Sequence, residues 1–257
     1  MSEGVSKWSN PQNLEKNFWG SLQIGTPSFL FLARIFLQTL GRSRLLCIFV
    51  ASLTQNIRMK TFLESTFLQK MREVVPVSQE TAAVLASCLE PCCIDKHVHV
   101  LEEGKRLRYV WFIEQGLLRH YWLVNGVEIN TSFSVEGHAV FSMDELYYGM
   151  PSQEYAETLE PVQAFRISIS DMNRLFETNL ELCNWGRIIH QNEYRRLHQS
   201  HKDRLSLSAA ERYMNFIKQF PGICQRCNLG YIASYLGITL PTLSRLRSKS
   251  LYRNGRN

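Results

Sequence analysis

"YVWFIEQGLLRHYWLVNGVEINTSFSVEG" (residues 109–137) consists of short runs rich in Val, Ile, Leu, Phe, Tyr and Trp, cut at Gln115-Gly116, Asn125-Gly126 and Glu136-Gly137. β-branched and aromatic side chains suit a pleated, half-buried surface, and an Asn-Gly pair tolerates the positive φ that a two-residue hairpin turn requires. The spacing therefore predicts a hairpin in which "LLRHYWLV" returns as "VEINTSFSV" across Asn125-Gly126. The same punctuation recurs upstream at Glu103-Gly104, and apolar runs continue to about Ser170. Several short strands at nearly regular spacing predict an antiparallel barrel or roll.

On both sides of this segment the period changes from two to about 3.6. Upstream, Phe62, Leu63, Phe67, Leu68 and Met71, then Val84, Leu85 and Leu89, recur at three- and four-residue spacing. That predicts two or three short helices, the last capped by Ser78 with Gln79 and Glu80 in its first turn. Downstream, Leu175, Leu182 and Ile189 fall seven apart, with Trp185 three after Leu182 and Asn192 three after Ile189 filling the intermediate positions, as on the seam of a coiled coil. A helix packed on its own barrel would show the same spacing; the polar Asn192, which would fix register, favours a seam between two copies.

The chain has 257 residues, enough for one large domain or two ordinary ones, and its net charge of +6 is unevenly spread. Residues 1–58 carry +4, residues 59–186 carry −8 and residues 187–257 carry +10. A basic block that also shows helical spacing and turn chemistry points to a folded domain that meets a polyanion. The seven cysteines are odd in number and irregularly spaced, which argues against a disulfide framework and places the protein in a reducing cytoplasm. In residues 1–58 the apolar pieces "SFLFLARIFLQTL" and "LLCIFVASL" are each too short to span a bilayer. No stable membrane association is expected, and "MKTFLESTFLQKM" at Met59 reads as a true start, with residues 1–58 as upstream or disordered sequence.

In the basic block, "SLSAAERYMNFIKQF" (residues 206–220) is a helix with Ser208 and Glu211 in capping-box spacing, closed by Pro221-Gly222. "YIASYLGITLPTLSRLRSK" (residues 231–249) follows. Asn228 can cap a short helix with Ile232, Ala233 and Leu236 inward, Gly237 supplies a tight turn, and Thr239 can cap a second helix that tolerates Pro241 in its first turn. Leu243 and Leu246 then point to the core, while Pro241, Ser244, Arg245 and Ser248 share the opposite face. Small polar residues around one arginine suit a helix lying in a DNA major groove, where arginine can grip guanine N7 and O6 together. The DNA-contacting set expected from this helix is Thr239, Pro241, Thr242, Ser244, Arg245, Arg247, Ser248 and Lys249, with Arg245 reading bases and Arg247 and Lys249 meeting phosphates or solvent.

The strand segment "YVWFIEQGLLRHYWLVNGVE", the long helix after it and "ERYMNFIKQFPGICQRCNLGYIASYLGITLPTLSRLR" together resemble the Crp/Fnr family of bacterial transcription regulators, most closely its Bacteroidetes-type members. The resemblance covers residues 59–257. It implies an α+β fold: an antiparallel, cyclic-nucleotide-binding-like β-roll over residues 59–180 with flanking helices, a dimerisation helix over 181–204, and a helical winged-helix-type DNA-binding domain over 205–257. It also implies a homodimer, double-stranded DNA and RNA polymerase as partners, and Arg245 as the family's base-reading arginine; Leu240 and Pro241 occupy the variable positions before it.

Family members that bind cyclic AMP carry a Gly-Glu-Leu turn and an arginine a few residues later. In "SMDELYYGMPSQEYAETLE" Glu145 and Leu146 match the turn, Asp144 replaces its glycine and Ser152 stands in place of the arginine. A cyclic phosphate beside Asp144, Glu145 and Glu154 without a cation would be repelled. Cyclic AMP is therefore not expected as the effector, no cofactor is predicted, and the roll is left for an unidentified small molecule or for none. Cys224 and Cys227 form a CxxC pair with no second ligand pair, and His190, His198 and His201 read as solvated or phosphate-proximal, so no metal site is expected. No nucleophile elbow, phosphate loop or metal constellation marks the chain as an enzyme. The alternative to a DNA-binding regulator is a ligand-binding or protein-interaction module whose basic end is only a solubilising or membrane-surface feature.

Overall fold

The computed structural model describes residues 61–254, with side chains as far as Ser248. The expectations for residues 1–58 and for a start at Met59 lie outside the described residues, as does the Lys249 side chain.

Ahead of the sheets the described residues include α1 (Thr66–Val74) and α2 (Gln79–Cys88), started by the hydroxyls of Ser65 and Ser78. Eight strands follow: β1 (Glu90–Ile94), β2 (His99–Leu101), β3 (Tyr109–Gln115), β4 (Leu118–Val124), β5 (Val127–Ser134), β6 (Ala139–Val140), β7 (Tyr155–Thr158) and β8 (Val162–Ser168). They form two antiparallel four-stranded sheets, β1-β8-β3-β6 and β2-β7-β4-β5, which is the expected roll. The β4–β5 hairpin turns at Asn125 (φ 52°) and Gly126 (φ 76°), with Val124 opposite Val127 and Trp122 opposite Ile129. Leu101, Trp111, Ile113, Leu118, Val140, Ala156, Val162 and Ala164 fill the space between the sheets.

After the roll come α3 (Ile169–Thr178) and the long α4 (Leu180–Ser206), then α5 (Ala209–Gln219), the single turn α6 (Ile223–Arg226), α7 (Leu229–Leu236) and α8 (Leu240–Asn254). The described C-terminal region is thus helical throughout. The heptad expected across Leu175, Leu182 and Ile189 is not one seam. Asn179 ends α3 in extended conformation and its side chain accepts from Leu182 N–H to start α4, so Leu175 belongs to a different helix. Leu182 and Trp185 are buried within the protomer, the Trp185 ring standing edge-on to Phe67 and Phe112. Gly186 lets the Phe176 ring lie against the α4 backbone, where a Cβ would meet it at 3.0 Å. The packed side of α4 is therefore its first half; Asn192 is exposed, and the outward apolar residues of the second half are Tyr194, Leu197 and Leu205.

Among the described residues no helix is long and apolar enough to cross a membrane.

Candidate nucleic-acid interface

The helix pair that the sequence places at residues 228–248 is built from a few local bonds. Asn228 Oδ1 accepts from Gly230 N–H at 2.7 Å and opens α7. At its other end Gly237 takes φ 64°, its N–H bonds Ser234 O, and Ile238 N–H bonds Ala233 O, both at 3.0 Å. This is the Schellman closure, which needs a left-handed residue and satisfies carbonyls that would otherwise be orphaned. Arg204 donates to Tyr235 O and Arg212 to Leu236 O, so two guanidinium groups sit at the negative end of the α7 dipole. The chain then turns into α8, whose first turn is capped by Thr239: its Oγ1 accepts from Thr242 N–H at 3.4 Å and lies 2.9 Å from Thr242 Oγ1.

α8 rests on α5 and α7 through Leu243, fully buried, and Leu246, half-buried. Its opposite face presents Thr239, Leu240, Pro241, Ser244, Arg245 and Ser248, all exposed. Thr242 is half-buried beside Thr239, and the Ser248 hydroxyl donates to Ser244 O at 3.1 Å. Arg247 is half-buried, and its charge acts on the Tyr213 hydroxyl of α5. Lys249 lies beyond the described side chains.

A second set of contacts, which the sequence reading missed, locks α7 to the roll. Leu117, Phe133 and Leu159 of the roll share one core with Tyr213, Phe216, Phe220, Ile232 and Tyr235. Arg119 on β4, only 3% exposed, lies between the Tyr121 and Tyr231 rings, 4.2 and 4.0 Å from their centres. Its guanidinium donates to Glu157 Oε2 at 2.7 Å and to Glu128. Burial by itself would raise the Glu157 carboxyl, but bonds from His97 and Arg119 hold it below the usual carboxylate range. The Ser234 hydroxyl of α7 accepts from Asn130 N–H at 3.0 Å and donates to Glu128 O at 3.3 Å. Arg226 of α6 pairs with Glu136 Oε1 at 2.7 Å and with Glu160. A buried arginine between tyrosine rings is invisible to periodicity; an Arg at an inward strand position was the only available signal.

In the cassette region, Asp144–Tyr148 forms a single π-helical turn closed by Gly149 (φ 61°), and Leu146 is buried. Ser152 is 2% exposed and its hydroxyl donates to Glu154 O at 3.0 Å. The expectation that no cation stands here is corrected by Arg106, whose Nη1 pairs with Glu145 Oε1 at 3.2 Å; a residue from before β3 could not be assigned to the cassette by local spacing. Burial, with Asp144 adding to it, pushes the Glu154 carboxyl up to about 7. His190 is also not solvated as expected: it packs on Phe141 and hydrogen-bonds the Tyr147 hydroxyl, and its burial lowers its pKa. Cys224 and Cys227 are half-buried free thiols, and burial pushes Cys227 up to about 12, far from a reactive thiolate. No group of three or more metal-ligating residues gathers among the described residues.

No protein-family model matches the chain, and no curated protein matches it. Among solved structures it is similar to FixK2 from Bradyrhizobium japonicum, at 20% identity and a TM-score of 0.56, over 65% of this chain and 86% of that one. It is also similar to the c-di-GMP-responsive global regulator CLP of Xanthomonas campestris, at 14% identity and a TM-score of 0.54, over 69% and 93%. A cyclic nucleotide-binding domain from Methylobacillus flagellatus matches at 19% identity and a TM-score of 0.50, over 58% and 85%. The fold is therefore that of cyclic-nucleotide-binding rolls.

Proposed function

We propose that the protein is a cytoplasmic, homodimeric, sequence-specific DNA-binding transcription regulator of the Crp/Fnr type, without catalysis. The observation that carries this reading is the exposed face of α8, where Arg245 projects from a helix anchored behind by Leu243 and preceded by a Schellman turn. The charge of +10 over residues 187–257 supplies the attraction to a polyanion. Tyr194, Leu197 and Leu205 give α4 an outward apolar stripe, with His201 between, at three- and four-residue spacing; a second copy is the partner that such a stripe fits. RNA polymerase is the partner through which a regulator of this type would act. In a dimer each α8 would enter a major groove, with half-sites about one helical turn apart.

The cassette supports an effector other than cyclic AMP, or none, because Arg106 is spent on Glu145 and Ser152 is buried. Isothermal calorimetry with cyclic AMP should show no low-micromolar binding. The reading of the site itself is tested by Arg245→Ala. Specific binding should fall by about 1–3 kcal/mol and become indifferent to one base pair, while salt-dependent binding to random DNA is kept. Equal loss of both would remove Arg245 as a base reader.

A further inference from the structure

The exposed face of α8 begins with two apolar residues. Leu240 is 45% exposed and Pro241 is exposed; both stand in the first helical turn, on the face that carries Ser244, Arg245 and Ser248. Pro241 has no N–H to donate. The threonine hydroxyls beside them face each other across 2.9 Å, and Ser248 donates to the backbone. The start of the helix thus offers a base edge carbon surface, whereas Arg245, one turn further, offers an exposed fork of donors with no ion pair among the described residues.

In the major groove one base presents carbon to a protein: thymine, through its C5 methyl. Resting on the DNA-reading role proposed above, we infer that Leu240, seconded by Pro241, selects thymine by methyl contact, in a half-site whose guanine is read by Arg245. Leu240 and Arg245 are five residues apart, about 7.5 Å along the helix axis at 1.5 Å per residue. With base pairs about 3.4 Å apart and a groove-bound helix inclined to the DNA axis, the thymine lies within about two base pairs of the guanine. The apolar pair is thus a specificity element and not a gap in readout.

The experiment starts from the operator that the purified full chain selects out of random duplexes. The thymine of each half-site is then replaced by deoxyuridine, which removes only the methyl group, and affinity is measured at fixed salt. Wild-type protein should lose about fourfold per half-site, the worth of one buried methyl group. Leu240→Ala, at an exposed position that should leave the thermal midpoint unchanged, should bind thymine and uracil operators equally yet still demand the guanine. Specific binding that ignores the uracil exchange overturns the thymine assignment and leaves the reader role standing. Selection that enriches no sequence overturns both. An unchanged uracil penalty in Leu240→Ala, with Pro241→Ala also unaffected, assigns the methyl contact elsewhere and overturns the inference.

Discussion

Replacing Arg119 by alanine should cost far more than most single substitutions in this chain, because it empties the contact that ties α7 to the roll. The guanidinium is 3% exposed and serves Glu157, Glu128 and two tyrosine rings together. Removing one member of a buried pair costs about 3–5 kcal/mol, since the other charge is left without its partner. Here Glu128 is 43% exposed and can return to water, and Glu157 keeps His97 Nδ1 at 3.0 Å, which moves the estimate to the lower end of that range. The two ring contacts add about 1 kcal/mol. The expected loss is about 3–4 kcal/mol, a large share of the 5–15 kcal/mol typical of a domain. Urea denaturation at pH 7, analysed by linear extrapolation, measures it. Arg119→Lys should lose about half as much, because an ammonium keeps the charge without the planar fork. Glu157→Gln in the Arg119→Ala background should cost clearly less than it does alone, since the pair is coupled. Amide exchange should quicken in α7 before it does in β3 and β8. A loss below 1 kcal/mol, or additive double-mutant energies, would refute the assignment of Arg119 as the link.

Three further outcomes are expected. The Glu154 carboxyl is raised from 4.5 to about 7, so the stability it confers is complete below about pH 4.5 and is lost as pH rises through about 7. Glu154→Gln should flatten the fall in unfolding free energy between pH 5 and 8 and stabilise the protein at pH 8 by about 1–3 kcal/mol, read from denaturation midpoints. Gly237→Ala places a Cβ where nothing lies within 4 Å, so its cost is the left-handed backbone alone, about 1–2 kcal/mol, with Gly237→Asn costing less; thermal denaturation distinguishes them. Leu197→Glu should shift the protein from dimer to monomer in sedimentation velocity with its circular dichroism unchanged, because Leu197 is 53% exposed in the isolated protomer.

The parts of the fold governed by neighbours in sequence were legible. Asn125-Gly126 marks its hairpin because the turn's backbone demands those residues, and Ser208 with Glu211 forms the capping box that its spacing announces. Gly237 is read as a turn for the same reason: a positive φ is a local demand. The inward Leu243 and outward Arg245 follow from helical period once the helix start is fixed at Thr239.

What failed depended on distant partners. Leu175, Leu182 and Ile189 keep a seven-residue spacing across a helix break at Asn179, and the spacing cannot tell a partner helix from the protomer's own Phe67 and Phe112. Arg106 reaches Glu145 from another part of the chain. Thr66 and Phe67 N–H, at the start of α1, both donate to the Glu114 carboxylate on β3, a cap that no local pattern reveals.

The proposed role makes α8 a reader of DNA sequence as one of a symmetric pair. Selection of bound duplexes from a random pool by the full chain, repeated at two salt concentrations, tests it most directly. The expected result is enrichment of an inverted repeat whose half-sites are about 10 base pairs apart, centre to centre, each with a guanine that Arg245→Ala no longer requires. Binding that falls with salt yet enriches no repeat would contradict it, leaving the basic C-terminal region a nonspecific polyanion surface.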